Sequence, residues 1–497
     1  MVAVGWFVRF YDFSRPLVRV DVAGIAFDDV LALAKANGAR HGTPYFLSPG
    51  GRADGRLNAF WRSPVLWGAA DSTVRRYALS IKVWLDFLHA VDVEWTAATS
   101  NDLAVFKNWR MSVESNPDPV SANTFRLDLA AVRKLYLWAA DECGVANPVR
   151  SHVLSGGYRG ETRLDATPSD IRTSDVKWMT PSAFRQWRTI GLSGYTRDGQ
   201  QRERWVGRTE DRDVAYADGL YGAGLRMGEW ASVLTSEIPG VSTERLLRLR
   251  LASACAKSGV SRPYWLRRAV LQAVRFYIED GSRQAVVAAA QRNGRYDVVP
   301  NKWVVDEIGS NGILLATDQD GVRRRVNVDS VGPSLRSRLF IRTPAGLEPM
   351  MLFLNMDGLP RHKAAWYNTF RDANRRAAKE LGDRSGRLWC RPHMLRHSFA
   401  LRWYCIATFV AWQRTDMLTV AERRDFRNQL GDVWFLLATL LGHRSAETTR
   451  QVYLEPFQGL QVEQLVALMD ADDRDALERL AGAVGAGHPR VIEGIGP

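Results

Sequence analysis

The apolar pattern between residues 63 and 148 constrains the fold more than any other feature of the chain. Apolar residues recur there with the spacing of one helical face in two stripes: Tyr77, Ile81, Trp84, Leu85 and Leu88, then Phe125, Leu129, Val132 and Tyr136. Ser121 is a suitable N-cap for the later helix, and Asn147-Pro148 ends it. Residues 63–150 are therefore predicted to form a small helical domain.

Breaks in this pattern divide the rest of the chain. Residues 1–62 alternate short apolar runs with loop signals, which favours an N-terminal extension, either an arm or a small accessory domain. Residues 151–178 are rich in Gly, Ser, Thr, Asp and Arg and predict a linker. Thr180-Pro181, a cap followed by a first-turn proline, opens a second domain at 179–456. Residues 457–497 predict a helical tail with two short amphipathic helices.

The second domain also contains strand patterns. Leu247, Leu249 and Leu251 alternate with arginines, Lys257-Ser258-Gly259 follows as a turn, and a returning strand begins at Arg262. A further hairpin is predicted over 312–328, turning at Asp320-Gly321. Most of the chain after residue 361 has a helical pattern. The expected fold class is α+β, mainly α with a small β-sheet.

The composition limits the classes of molecule that the protein is expected to bind. The formal net charge of +13 favours a polyanionic partner such as nucleic acid. The chain has no run of about 18 apolar residues, so no membrane partner is expected. Four cysteines without a CxxC pair suit a reduced, cytoplasmic compartment, and no metal or cofactor is expected.

Two groups of basic residues lie on the outward faces of the predicted helices. They are Arg75, Arg76 and Lys82 on one helix, and Arg126, Arg133 and Lys134 on the other. Charges in such positions either contact DNA phosphates or simply form a solvated face, and the sequence leaves both interpretations open.

Three stretches concentrate residues that carry chemistry. In GLRMGE, Arg226 and Glu229 share a helical face, so the acid can orient the guanidinium. In RPHMLRH, His393, Arg396 and His397 share a face near a helix start, an arrangement that suits a phosphate. The third stretch runs from LLGH, with His443, to Tyr453, the last tyrosine of the chain.

In this order, GLRMGE, a hairpin lysine, HMLRH and LGHRSAETTRQVY resemble the catalytic domain of the tyrosine recombinases, the phage integrase family. Residues 63–148 look like that family's helical core-binding domain, so the resemblance covers roughly 63–455. It implies that Arg226 and Arg396 grip the scissile phosphate, and that Tyr453 is the nucleophile. It implies further catalytic roles for Lys257, His393 and His443, with supporting roles for Glu229 and His397.

The resemblance also implies an activity: site-specific cleavage and rejoining of double-stranded DNA through a 3′-phosphotyrosyl intermediate, without metal or ATP. A dimer to tetramer on recombination core sites is expected, with accessory proteins in some systems and a tail that docks on a neighbouring subunit. Such enzymes are encoded by bacteria, phages or mobile elements and act at the nucleoid.

The chain departs from the family pattern in three places. Tyr453 follows His443 by ten residues where nine is commoner, and insertions are expected near 286–345 and 405–430. Alternatives within the fold are a type IB topoisomerase, a telomere resolvase, or an inactive DNA-binding or accessory protein. A metal-dependent nuclease or transposase would need an acidic triad, which the sequence does not reveal.

Overall fold

The computed structural model describes residues 5–13, 20–22, 25–27, 30–153, 162–168, 177–205, 207–240, 242–309, 311–382, 388–415, 433–442, 446 and 491–492. By internal contacts the chain divides into two compact units, Met1–Thr173 and Ser174–Pro497. Each unit has a hydrophobic core of its own.

Unit 1 is built on three long helices, α3 (Asp71–Ala90), α4 (Ser100–Met111) and α5 (Ala122–Cys143). Its other elements are β1 (Phe7–Phe10), β2 (Val20–Val22), β3 (Ile25–Phe27), α1 (Val30–Ala36), β4 (Pro44–Leu47), α2 (Gly55–Phe60), β5 (Ser151–Val153) and β6 (Thr162–Leu164). The strands pair antiparallel as β1–β4, β2–β3 and β5–β6.

The two apolar stripes of the sequence meet inside unit 1. Trp84 on α3 donates from Nε1 to the Tyr136 hydroxyl of α5 at 3.1 Å, and that hydroxyl donates to the Trp95 carbonyl at 2.6 Å. Burial raises the pKa of Tyr136 above its ordinary value. Ser121 caps α5 by accepting from the Thr124 amide. The helical interpretation of this segment is confirmed.

The N-terminal extension shares this core. Trp6, Phe46, Leu57 and Phe60 are buried in the same cluster as the helical stripes. The Trp6 amide donates to Asp86 of α3 at 2.7 Å. These four buried residues of the extension therefore pack in the core of the helical domain. The segment predicted as a linker contributes the β5–β6 pair.

Unit 2 alternates helices with short strands. Its elements up to residue 300 are β7 (Trp178–Met179), α6 (Pro181–Gly191), α7 (Glu210–Ala223), α8 (Met227–Ala231), β8 (Leu246–Leu251), β9 (Arg262–Arg267), α9 (Arg268–Glu279) and α10 (Ser282–Arg292). Its later elements are β10 (Trp303–Ile308), β11 (Ile313–Thr317), β12 (Arg323–Asn327), α11 (Pro333–Arg336), β13 (Leu339–Thr343), β14 (Gly346–Pro349), α12 (Ala365–Leu381), α13 (Pro392–Thr415), α14 (Val433–Leu441) and β15 (Val491–Ile492).

Two β-structures organise unit 2. β8 and β9 form an antiparallel hairpin with Leu247 opposite Leu266, and a five-stranded sheet has the order β12-β11-β10-β13-β14. That sheet occupies most of the predicted 286–345 insertion and packs on a separate core that includes Val305, Leu314 and Phe340. Both predicted hairpins are confirmed, as is the cap at Thr180, which accepts from the Ala183 amide at 3.1 Å.

The α+β class, mainly helical with small sheets, is confirmed. Within the described ranges, no helix is long and apolar enough to cross a membrane. Residues 405–415 of the second predicted insertion belong to α13, and its remainder lies outside the described residues. Of the predicted tail only Val491 and Ile492 are described, and they pair parallel with Trp178 and Met179 of β7.

Candidate active site

The loop after α7 positions Arg226. Gly224 ends α7 with φ +63°, a conformation that glycine adopts without strain, and a Cβ there would lie 2.3 Å from the Phe399 ring of α13. The chain turns sharply at this glycine, and Arg226 becomes the extended residue before α8. Its side chain is 24% exposed, so the guanidinium reaches the surface of the site.

Glu229, one turn into α8, holds this loop. Its carboxylate accepts from the Arg226 amide at 2.8 Å and from Arg226 Nη1 at 2.9 Å. Arg262 of β9 donates to the same carboxylate from Nη2 at 2.6 Å and from Nη1 at 3.3 Å. The Lys257 amide completes the set at 3.4 Å. One buried carboxylate thus ties the GLRMGE loop to both ends of the hairpin turn.

The electrostatics of Glu229 follow from these contacts. Burial opposes its ionisation, but the hydrogen bonds and charges of Arg262 and Arg226 outweigh burial and lower the pKa of Glu229 to about 2. The carboxylate is therefore ionised at neutral pH and orients both guanidinium groups. The supporting role predicted for Glu229 stays a prediction, and the contacts give it a physical basis.

Arg396 on α13, in the RPHMLRH motif, makes hydrogen bonds to the other two motifs. Its side chain is buried, and Nη1 donates to the Gly224 carbonyl at 2.6 Å while Nη2 donates to the Leu441 carbonyl at the end of α14. Gly224 belongs to GLRMGE and Leu441 to LLGH. Segments that are more than 200 residues apart in the sequence therefore converge on one guanidinium.

His393 lies one turn before Arg396 on the same helix. Desolvation, with the positive charges of Arg396, Arg226 and Lys257, lowers the pKa of His393 to about 4. The side chain is also exposed to solvent, which reduces desolvation and screens the three cations, so both effects lower the pKa of His393 but are weakened. His397 is buried, and its ring stands edge-on to that of His393 at 4.5 Å between centroids.

Lys257 lies in the exposed turn of the β8–β9 hairpin. Its amide donates to Glu229, the carboxylate that also holds Arg226, and its charge contributes to the lowered pKa of His393, so Lys257 lies in the same basic cluster. The structure thus brings together Arg226, Lys257, His393 and Arg396. His443 and Tyr453 lie outside the described residues, and the description of LLGH ends at Gly442.

Sequence reasoning did not include Arg262 among the site residues. Its side chain is 8% exposed, and it packs so tightly on Gly442 that a Cβ there would lie 2.5 Å from Arg262 Cδ. Gly442 also has φ +66°, which favours glycine. The signal for Arg262 was present, since strand alternation puts it on the buried face with Tyr264 and Leu266, where an arginine needs a carboxylate partner.

The predicted DNA-binding residues of unit 1 fall into two groups. Arg76 donates to the buried Asp128 at 2.9 Å and Lys82 pairs with Asp86, so both charges are offset inside the unit. Arg75, Arg126 and Arg133 are exposed, although Arg75 also lies over the Phe10 ring. Lys134 is half-buried. A role in DNA binding therefore stays a prediction, most directly for the arginines of α5.

Unit 1 contains a segment that is similar to a known protein family. Residues 66–143 match the family model described as phage integrase, N-terminal SAM-like domain. These residues include α3, α4 and α5. A comparison with curated proteins gives no match.

Several solved structures are similar to the chain at low identity. A XerH site-specific recombinase in a post-cleavage complex is 13% identical, with a TM-score of 0.43, over 81% of this chain and 82% of that chain. The Tn1549 transposon integrase with a circular intermediate DNA is 12% identical, with a TM-score of 0.43, over 84% and 98%. A lambda integrase dimer bound to a core site is 12% identical, with a TM-score of 0.40, over 78% and 90%. Similarity at this level carries no argument about residue roles.

The helical core of unit 1 is thus similar to the phage integrase SAM-like domain. This match supports, over residues 66–143, the resemblance to the tyrosine recombinases that the motifs indicate.

Proposed function

We propose that the protein is a site-specific DNA recombinase that cleaves and rejoins DNA through Tyr453, with Arg226, Arg396, Lys257, His393 and His443 as its catalytic partners. The observation that carries the proposal is a basic cluster: Arg226 and the Lys257 amide meet at the carboxylate of Glu229, and the charges of Arg226, Lys257 and Arg396 all act on His393. These side chains come from three separate motifs.

The charge of the cluster suits a phosphodiester. Its described members Arg226, Arg262, Lys257 and Arg396 are basic, and Glu229 offsets part of their charge while holding two of them in place. A phosphodiester is anionic and gains negative charge as a nucleophile attacks. Prepositioned guanidinium groups stabilise that charge without reorganising at the moment of reaction.

The proposed cleavage step transfers the phosphoryl group from the DNA 5′-oxygen to Tyr453. The Tyr453 hydroxyl attacks phosphorus, its proton passes to His393, and the bond from phosphorus to the 5′-oxygen breaks. Lys257 gives a proton to the leaving oxygen, and His443 donates a hydrogen bond to the phosphate. Rejoining is the reverse with a new 5′-hydroxyl, so the phosphotyrosyl bond conserves the energy of the original phosphodiester.

The low pKa of His393 fits its role in accepting a proton. With a pKa of about 4 in the free protein, the ring is neutral at pH 7, so one ring nitrogen has an unprotonated lone pair. A bound phosphate adds negative charge beside the ring and raises its pKa, because it opposes the neighbouring cations. His393 therefore becomes a stronger base only when the substrate is present.

The test uses nicked suicide duplexes tiled across the DNA that flanks the gene. The full-length protein is expected to form a covalent adduct that survives denaturing electrophoresis and excess EDTA. Tyr453→Phe, which lacks only the attacking oxygen, is expected to bind the same duplex without forming an adduct. Adduct formation by Tyr453→Phe would contradict the assignment of the nucleophile. Absence of any adduct with the wild-type protein would contradict the activity itself.

The assembly on DNA is part of the proposal. Recombination joins two duplexes, so we infer a dimer on each core site and a tetramer when two sites are paired. The part of the tail before Val491 is proposed to dock on a neighbouring subunit, while Val491 and Ile492 pair with β7 of their own chain. Truncation after about residue 458, which also removes the β7–β15 pair, is expected to preserve folding and binding to one site and to abolish pairing of two.

A further inference from the structure

An arginine-rich strand lies at the free edge of the five-stranded sheet. β12 carries Arg323, Arg324 and Arg325 in succession, and all three are exposed. The strand order places β12 at one edge, paired only to β11 among the described strands. This strand lies within the segment predicted as an insertion, to which the proposed reaction assigns no role.

The three arginines differ in their partners. Arg324 donates to Asp318 at 2.9 Å and lies over the Trp303 ring at 5.7 Å, so protein contacts occupy it. Side chains alternate along a strand, so Arg323 and Arg325 point to the opposite face. Neither has a carboxylate partner within the part of the chain that the structure describes. Two guanidinium groups with unpaired charge thus lie two residues apart on one face.

β12 is fixed to the hairpin that carries Lys257. Two residues after the strand, Asp329 accepts from the Ser253 amide at 3.1 Å and from the Ser253 hydroxyl at 2.7 Å. These hydrogen bonds lower the pKa of Asp329, so the carboxylate is ionised at neutral pH. Arg250 of β8 approaches Asp329 at 3.7 Å. Ser253 lies only four residues before Lys257, so β12 is anchored close to the proposed active site.

The exposed side of β8 extends the basic surface. Arg248 and Arg250 alternate with the inward-facing leucines, and together with residues 261–263 of β9 they line an open groove. Basic side chains therefore occur on the hairpin and on the strand that is anchored to it. Guanidinium groups donate in a planar fork that matches phosphate oxygens, so arginine is well suited to such contacts.

We propose that Arg323 and Arg325 bind phosphates of the DNA duplex beside the phosphate that is cleaved. This inference rests on the proposed function, because it takes duplex DNA as the substrate of the neighbouring site. The occupant is the sugar–phosphate backbone, which unpaired guanidinium groups contact without reading the base sequence. The insertion thereby lengthens the DNA contact of the catalytic unit.

A simpler explanation is that charges on an edge strand only prevent edge-to-edge aggregation. The two explanations differ in their salt dependence. Each phosphate contact that is lost reduces the slope of log affinity against log salt by about 0.9. A strand that only blocks aggregation leaves this slope unchanged when its charges are removed.

The experiment measures anisotropy of a fluorescent, mixed-sequence duplex with the full-length protein between about 50 and 200 mM salt. Arg323→Gln/Arg325→Gln is expected to reduce the slope by about 2, since two phosphate contacts are lost. Its matched control is Arg371→Gln/Arg375→Gln on α12, which removes the same charge from arginines that are 63% and 73% exposed. The control is expected to change the slope by less than half as much.

Unchanged slope in Arg323→Gln/Arg325→Gln would overturn the proposal, whether or not the variant self-associates in size-exclusion chromatography. Equal reductions in both double variants would also overturn it, because net charge alone would explain the effect. Adduct formation by Tyr453 is scored separately. If the wild-type protein forms the adduct but the slope is unchanged in Arg323→Gln/Arg325→Gln, only this inference is rejected. If the slope is reduced in that variant but the wild-type protein forms no adduct, the DNA-binding surface is retained and the recombinase activity is rejected.

Discussion

The carboxylate of Glu229 gives the sharpest test of the proposed site, because the chain contains a close structural match for it. Like Glu229, Glu237 accepts a hydrogen bond from the amide three residues before it, that of Leu234, at 2.9 Å. It also accepts two hydrogen bonds from the guanidinium of Arg336, at 2.6 and 2.8 Å. Both arginine partners are buried. Only Glu229 contacts Arg226 and the Lys257 amide.

Glu229→Gln and Glu237→Gln are therefore expected to cost similar folding stability and to differ in catalysis. Removing one charge of a buried ion pair costs about 3–5 kcal/mol, and the amide, which keeps the shape and one acceptor, reduces this to roughly 3 kcal/mol. In Glu229→Gln, Arg226 also loses its orienting partner. Loss of one transition-state donor slows comparable reactions by about 10² to 10³.

The assay measures urea unfolding of the full-length variants and the single-turnover rate of adduct formation on the nicked duplex. We expect both variants to lose stability, Glu229→Gln to form the adduct at least about 10²-fold more slowly, and Glu237→Gln to remain within a few-fold of the wild type. Equal adduct rates in the two variants would refute the reasoning, since instability alone would then account for the effect.

The pH dependence of stability provides an independent check on Glu229. Its folded pKa of about 2 lies below the ordinary value of 4.5, so its stabilising contribution is present above about pH 4.5 and is lost as pH falls toward 2. Glu229→Gln is expected to lose this part of the acid dependence. An acid-unfolding profile identical in shape to that of the wild type would contradict the lowered pKa.

Three further predictions concern individual side chains. Lys257→Ala should cleave normal DNA slowly and recover on a substrate with a 5′-bridging sulfur, which leaves without protonation; no recovery would assign the acid elsewhere. The pKa of His393, followed by NMR, should rise from about 4 on DNA binding, and an unchanged value would argue against contact with phosphate. The slope of log DNA affinity against log salt should become shallower when charge is removed from Arg126, Arg133 and Lys134. An unaltered slope would indicate that these side chains are only solvated and do not contact DNA.

Sequence alone determined part of the local structure of each unit. Helical periodicity gave α3 and α5, because residues that share a face recur at fixed spacing and must be buried together. Strand alternation and turn residues gave the β8–β9 and β11–β12 hairpins, and Thr180-Pro181 gave the start of α6. The motif order indicated the family and the residues of the site.

Only the tertiary structure showed how the site is held. No local pattern links Arg262 to Glu229, because an ion pair between distant segments depends on the packing of β9 against α8. The same holds for Arg396, whose carbonyl partners at Gly224 and Leu441 are brought together by α7, α13 and α14. The pairing of Arg76 with Asp128 likewise depends on how α3 packs on α5, and it removes from the predicted DNA surface a charge that the helical pattern placed outside. Periodicity indicates which face of a helix or strand is buried. The residue that packs against that face comes from a distant segment of the chain, so the local pattern does not identify it.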